Sequence, residues 1–159
     1  MPFQKIVKSY QAPAVAGDFA AHNPNAAMLA GEGALVSGKD GVTVGVFAWA
    51  DADGKVSNQK SAGARIGFVH REQQASITEY LAEHGNRILP GQIITLMTQG
   101  DFWGYFPSGA VIGQNVFAND KDGSLKASAE ASESGHTLTG FKVASTAAAG
   151  ELAKITTWE

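Results

Sequence analysis

The amino-acid sequence predicts an all-β fold, a sandwich or barrel with an extended N-terminal arm and at most one short helix. Three observations carry that expectation. From residue 33 onward, short runs of β-branched and aromatic residues recur, as in Val42-Thr43-Val44-Gly45-Val46-Phe47-Ala48-Trp49 with its valines at period two. Turn signals separate these runs, among them Asp53-Gly54, Pro90-Gly91 and Asp122-Gly123, where glycine supplies the positive φ that tight turns need. No long helical pattern intervenes, which suits sandwiches and barrels better than alternating βα units.

The elements follow in chain order. In residues 1–30, Phe3, Ile6, Val7 and Tyr10 are apolar, but Pro2, Pro13 and Pro24 interrupt any regular element. Gly17-Asp18 and His22-Asn23-Pro24-Asn25 read as turns. The segment is either an arm crossing a surface or an N-terminal edge strand with a loop. Residues 31–159 then form a single β domain. After residues 42–49 and the Asp51-Ala52-Asp53-Gly54 turn, strands are expected at residues 66–70, 93–97, 102–106, 116–118, 141–144 and 152–156. Residues 73–84 are ambiguous. Ile77, Tyr80, Leu81 and His84 fall at helical spacing with Glu79 and Glu83 beside them, whereas β packing around them could override that period. The polar, Ala- and Ser-rich stretch 126–136 reads as a variable loop.

Composition narrows the function. The chain has 159 residues, enough for one domain to bury a core without staples. Charged residues make up 17% of the chain and glycine is abundant, so the surface carries little charge and many small side chains. Net charge is −3, and the 12 Lys and Arg are scattered with no two adjacent, which argues against a nucleic-acid partner. Cysteine is absent, excluding disulfides, thiolate metal sites and a Cys nucleophile. The start, Met1-Pro2-Phe3-Gln4-Lys5, leads into no apolar signal region, and no run is long enough to span a bilayer. These features point to folding in a cytoplasm without export and to no membrane association.

Few residue patterns suggest chemistry. His70-Arg71-Glu72 is the densest polar cluster, and in a strand His70 and Glu72 share a face. An imidazole and a carboxylate could act as base and orienter, or hold a metal in a small hydrolase. Further ligands at metal spacing are missing, so a strand end making surface or interface hydrogen bonds is the better reading. Asp51-Ala52-Asp53-Gly54 and Asp120-Lys121-Asp122-Gly123 lack the later ligands of a calcium loop and read as hairpin turns. Gly31-Glu32-Gly33 lacks the remainder of a phosphate loop. No Gly-x-Ser-x-Gly elbow occurs. The expectation is a non-enzyme with no catalytic residue, no metal and no cofactor. Trp49, Trp103 and Tyr105 could form a sugar-stacking platform, although core filling is the more usual use of such residues.

Several segments together resemble the structural cement, or capsid decoration, proteins of tailed bacteriophages. They are Met1-Pro2-Phe3-Gln4, Pro13-Ala14-Val15-Ala16-Gly17-Asp18-Phe19-Ala20, Gly31-Glu32-Gly33-Ala34-Leu35-Val36, residues 42–49, Gly67-Phe68-Val69-His70-Arg71-Glu72-Gln73-Gln74-Ala75 and Gly100-Asp101-Phe102-Trp103. The longest mixed run, residues 67–75, is the most specific, and none of these motifs is catalytic. The resemblance implies a jelly-roll-like fold and a structural protein of the virion. Such a protein is made in the host cytoplasm, sits on the outer capsid surface and bridges subunits of the major capsid protein. It also implies a homo-oligomer, a dimer ahead of a trimer. In that setting Phe3, Ile6, Val7 and Tyr10 become oligomer or capsid contacts, and His70, Arg71 and Glu72 an interface polar cluster. A carbohydrate- or receptor-binding β module on a virion is the alternative.

Overall fold

The computed structural model describes residues 14–72 and 87–159. Thirteen strands lie within them. They are β1 (Ala26–Ala27), β2 (Val36–Ser37), β3 (Val42–Thr43), β4 (Phe47–Ala50), β5 (Lys55–Ser57), β6 (Arg65–Val69), β7 (Arg87–Ile88), β8 (Leu96–Gln99), β9 (Asp101–Phe106), β10 (Asn115–Asn119), β11 (Leu125–Ser128), β12 (His136–Val143) and β13 (Glu151–Thr156). The described residues contain no helix, and the fold is all-β as the sequence predicts. The ambiguous residues 73–84 and the apolar positions Phe3, Ile6, Val7 and Tyr10 lie outside the described residues.

Two main sheets face each other. One has six strands in the order β1-β8-β6-β4-β5-β2, the other five in the order β11-β10-β12-β13-β9, and β3 and β7 form a small pair. Pairing is antiparallel except between β2 and β5. The longest register joins β9 to β13, from Glu151 opposite Phe106 to Thr156 opposite Asp101.

Alternation explains the packing, because successive side chains leave opposite faces of a strand. Phe47 and Trp49 of β4, Phe68 of β6 and Met97 of β8 point between the two main sheets. There they meet Phe102, Phe106, Val116, Phe141, Val143 and Ile155 of the five-stranded sheet. The rings interlock, with Phe47 and Phe68 centroids 5.3 Å apart in an edge-on arrangement and Phe68 and Phe102 4.9 Å apart. Each such pair adds roughly 0.5–1.5 kcal/mol beyond the area it buries. The alternate residues Ala48, Ala50, Val69 and Leu96 enter a second core with Leu35, Val42, Val56 and Ile88. The six-stranded sheet is thus covered on both faces, which is why all four residues of β4 are buried.

The described part of the N-terminal segment lies along strand edges. The Phe19 bridge to Phe102 extends the free side of β9, and β1 pairs with β8 at the end of the other sheet. Exposed edges invite pairing with other chains, and this segment blunts both.

Some expected strands differ in detail. Residues 42–49 do not form one strand. The chain turns at Gly45, whose φ is +80°, and an added Cβ there would lie 2.9 Å from the Ala16 carbonyl carbon. Ile93 and Ile94 precede β8 instead of belonging to it, Ile93 making a single bridge to Val36. The expected loop at 126–136 begins instead as β11, which pairs with β10.

Candidate functional site

The outward face of β9 presents the first surface of interest. Because Phe102, Gly104 and Phe106 turn inward, Asp101, Trp103 and Tyr105 turn outward. In the register with β13, Lys154 stands opposite Trp103 and Leu152 opposite Tyr105. The Lys154 ammonium sits over the Trp103 ring, 5.4 Å from its centre, a cation–π contact. Tyr105 is 47% exposed. Trp49, by contrast, is a core residue at 2% exposure, so only two of the three aromatics considered for stacking are on a surface.

A second surface is apolar. The β9–β10 loop carries Val111 and Ile112, exposed at 53% and 60%. Ala110 pairs with Ala147, and Ile112 N reaches Thr146 Oγ1 at 3.4 Å, so this loop lies beside the Ala-rich loop before β13. The two loops line a shallow depression of about 340 Å³ with walls from Ala147, Ala148 and Ala149. Loop tips are usually polar, and here two adjacent branched side chains are exposed beside a floor of small residues.

The polar cluster occupies a seam. Gly17 O accepts two hydrogen bonds, from Arg71 N at 2.9 Å and from His70 Nδ1 at 3.0 Å. A carbonyl only accepts, so the latter contact needs the proton on Nδ1. Gly17 N in turn donates to Trp103 O, and Trp103 N to Asp18 O. The His70 ring packs 4.2 Å from that of Phe19, centre to centre. Arg71 adds an ion pair to Asp18 at 3.2 Å, with both side chains partly exposed. Such a pair contributes about 0–1 kcal/mol. The structure therefore brings His70 and Arg71 together as fasteners between the N-terminal segment and the two sheets. Glu72, half-buried, makes no hydrogen bond within this seam among the described residues.

The aspartate-rich turns cap hairpins. Asp51 Oδ1 accepts from Asp53 N and Lys55 N, and Asp122 Oδ1 from Ser124 N. Asp120 binds Thr137 Oγ1 at 2.6 Å and pairs with Lys60 at 3.4 Å. Among the described residues no three of His, Cys, Asp and Glu gather closely enough to hold a metal ion. One carboxyl has a shifted titration. Hydrogen bonds from Lys126 and Ser128 hold Glu133 below its usual value, and the Lys126 charge adds to them.

The sequence pattern marked β9 as aromatic without revealing which rings face out. It also passed over Val111-Ile112, although an apolar pair between Gly109 and Gly113 was a readable signal. The described surface thus presents outward aromatics on β9 and an exposed Val111–Ile112 pair, on a scaffold fastened by the His70–Arg71 seam.

Comparison with known proteins agrees in kind. The family model of the XM1 gp53 minor capsid protein matches residues 3–157. Among solved structures, a chain of the capsid of Myoviridae phage XM1 superposes with a TM-score of 0.61 at 18% identity, covering 99% of this chain and 98% of that one. At that identity the likeness speaks for the fold. The head fiber gp8.5 N base of bacteriophage phi29 gives a TM-score of 0.42 at 15% identity, over 76% of this chain and 88% of that one. No curated protein sequence matches.

Proposed function

The chain belongs to the XM1 gp53 minor capsid protein family, a tailed-phage capsid-associated family, and from that premise we propose that it binds the outer surface of the head and bridges major capsid subunits, stabilising the shell. A structural role in the virion follows from the family itself. The observation that carries the finer reading is the exposed Val111–Ile112 pair beside a floor of small residues, with a second, aromatic surface on β9. A bridging protein needs two contact surfaces on a rigid body, and short turns and blunted sheet edges supply the rigidity. Each contact can be weak, because many copies on a lattice add through effective concentration. Low surface charge lowers the cost of stripping water on docking. This reading assigns the chain no reaction and no cofactor. Phe3, Ile6, Val7 and Tyr10 would serve as anchors exchanged between copies of a homodimer, an easy route to self-association.

A carbohydrate- or receptor-binding module is the second reading. The outward Trp103 and Tyr105 favour it, and Trp49 no longer does. One experiment addresses the first reading. The purified chain is sedimented with emptied, expanded heads and, separately, with unassembled major capsid protein. Binding to heads alone supports lattice bridging. Equal binding to loose subunits contradicts it, and binding to neither, together with retention on a glycan surface that Trp103→Ala abolishes, favours the second reading.

A further inference from the structure

The geometry points to a receptor for one basic side chain, lysine or arginine, in the cleft at the start of β9, filled when the protein docks on a major capsid subunit. This inference rests on the capsid-surface reading above and names the chemistry of one contact. It starts from Asp101, which is only 7% exposed. Its Oδ2 accepts a hydrogen bond from Asn23 Nδ2. Its Oδ1 is fully buried and has no hydrogen-bond partner among the described residues. A buried carboxylate oxygen left unpaired is costly, and native proteins rarely keep one without a use.

The surroundings say what the Asp101 carboxylate as a whole would attract. Asp101 opens into a cleft of about 300 Å³ with apolar walls from Ala20, Ala21, Ala144 and Trp158. Trp158 is held in place, since its Nε1 donates to Pro24 O at 3.0 Å and its N to Thr156 Oγ1 at 3.1 Å. The residue is nevertheless 47% exposed. A lysine or arginine has this shape, with an aliphatic stem to lie on alanine and tryptophan and a cationic head to meet the carboxylate. The Trp158 face adds a cation–π attraction. A bare metal ion fits less well, because Glu159 is the one other acidic side chain lining the cleft and no three of His, Asp and Glu gather there among the described residues. Lys154 also borders the cleft, but its ammonium is engaged over Trp103.

The test compares the full chain with Asp101→Asn in two measurements. Asparagine keeps an acceptor for Asn23 and removes the charge. The melting temperature of the free variant should be unchanged or higher, because an unpaired buried charge is gone. Its affinity for emptied heads should fall about 30-fold or more, as when one partner of a buried charged pair is removed. The wild-type affinity should also weaken more steeply with salt than that of the variant. Equal affinity of the two for the heads overturns the inference, as does a lower melting temperature with unchanged affinity. If Lys5→Met or Lys8→Met alters the melting temperature of the free chain but not of the Asp101→Asn variant, the ammonium belongs to this chain and the proposal fails. Failure of the wild type itself to bind heads is a separate result. It removes the capsid reading, and this contact with it.

Discussion

Strand β9 carries aromatic rings on both faces, and the two faces differ in every physical respect. Inward, Phe102 and Phe106 are fully buried, and the Phe102 ring packs against those of Phe68 and Phe141. Outward, Trp103 and Tyr105 lie on a partly wet surface beside Lys154 and Leu152. The inward row holds the sheets together, so its chemistry is that of any sandwich core. Of the outward row, Trp103 carries the Lys154 ammonium over its ring and Tyr105 is 47% exposed. A single strand therefore separates core from surface by nothing more than the parity of its residues.

That separation can be broken by substitution. Phe102→Ala should cost about 3–5 kcal/mol in denaturant unfolding, the usual price of emptying a buried phenylalanine site. Tyr105→Ala should stay within about 0.5–1 kcal/mol of wild type, while weakening attachment to emptied heads. A Tyr105→Ala variant that unfolds as readily as Phe102→Ala would erase the distinction between the faces.

The join between the sheets offers the next test. Gly123, in the β10–β11 turn, has a φ of +73°, and its carbonyl accepts a hydrogen bond from Phe47 N. An added Cβ would fall 1.9 Å from Phe47 O, against backbone that cannot step aside. Gly123→Ala should therefore cost roughly 3 kcal/mol, from overpacking together with the unfavourable backbone angle. The midpoint of urea unfolding measures it, and a midpoint like that of wild type would mean the turn is not seated on β4.

The smallest effect belongs to the surface. Glu133 is held below its usual value of 4.5 by Lys126 and Ser128. A carboxyl whose folded value is lowered stabilises the fold above its unfolded value and stops doing so as pH falls through the folded one. Glu133→Gln should thus lower the melting temperature slightly at neutral pH and leave it unchanged in strong acid. A difference that grows toward acid would reverse the sign.

How much of this was legible in the sequence depends on the length of the pattern. Strands β9 and β13 were readable because each is six residues long, β9 with aromatics at Phe102, Trp103, Tyr105 and Phe106 and β13 with Leu152 and Ile155 after a glycine-containing turn. Strands β5 and β11 were not, since Lys55-Val56-Ser57 and Leu125-Lys126-Ala127-Ser128 are short and partly polar. The break at Gly45 depends on how closely Ala16 approaches, which is a tertiary fact. The same holds for the seam. The run His70-Arg71-Glu72 is plain in the sequence, but its partner Gly17 lies 53 positions away from His70. The surfaces were least visible, because Trp103 inside a core and Trp103 facing out give the same aromatic strand. Composition favoured a binding protein over an enzyme, yet it could not say where the binding would occur.

The most direct test of the account is a reconstruction of the mature phage particle at a resolution that traces chains. The expected result is density for this chain on the outside of the head, spanning two neighbouring major capsid subunits and touching them with the Val111–Ile112 loop and the outward face of β9. Density inside the shell, or contact with a single subunit alone, would contradict it.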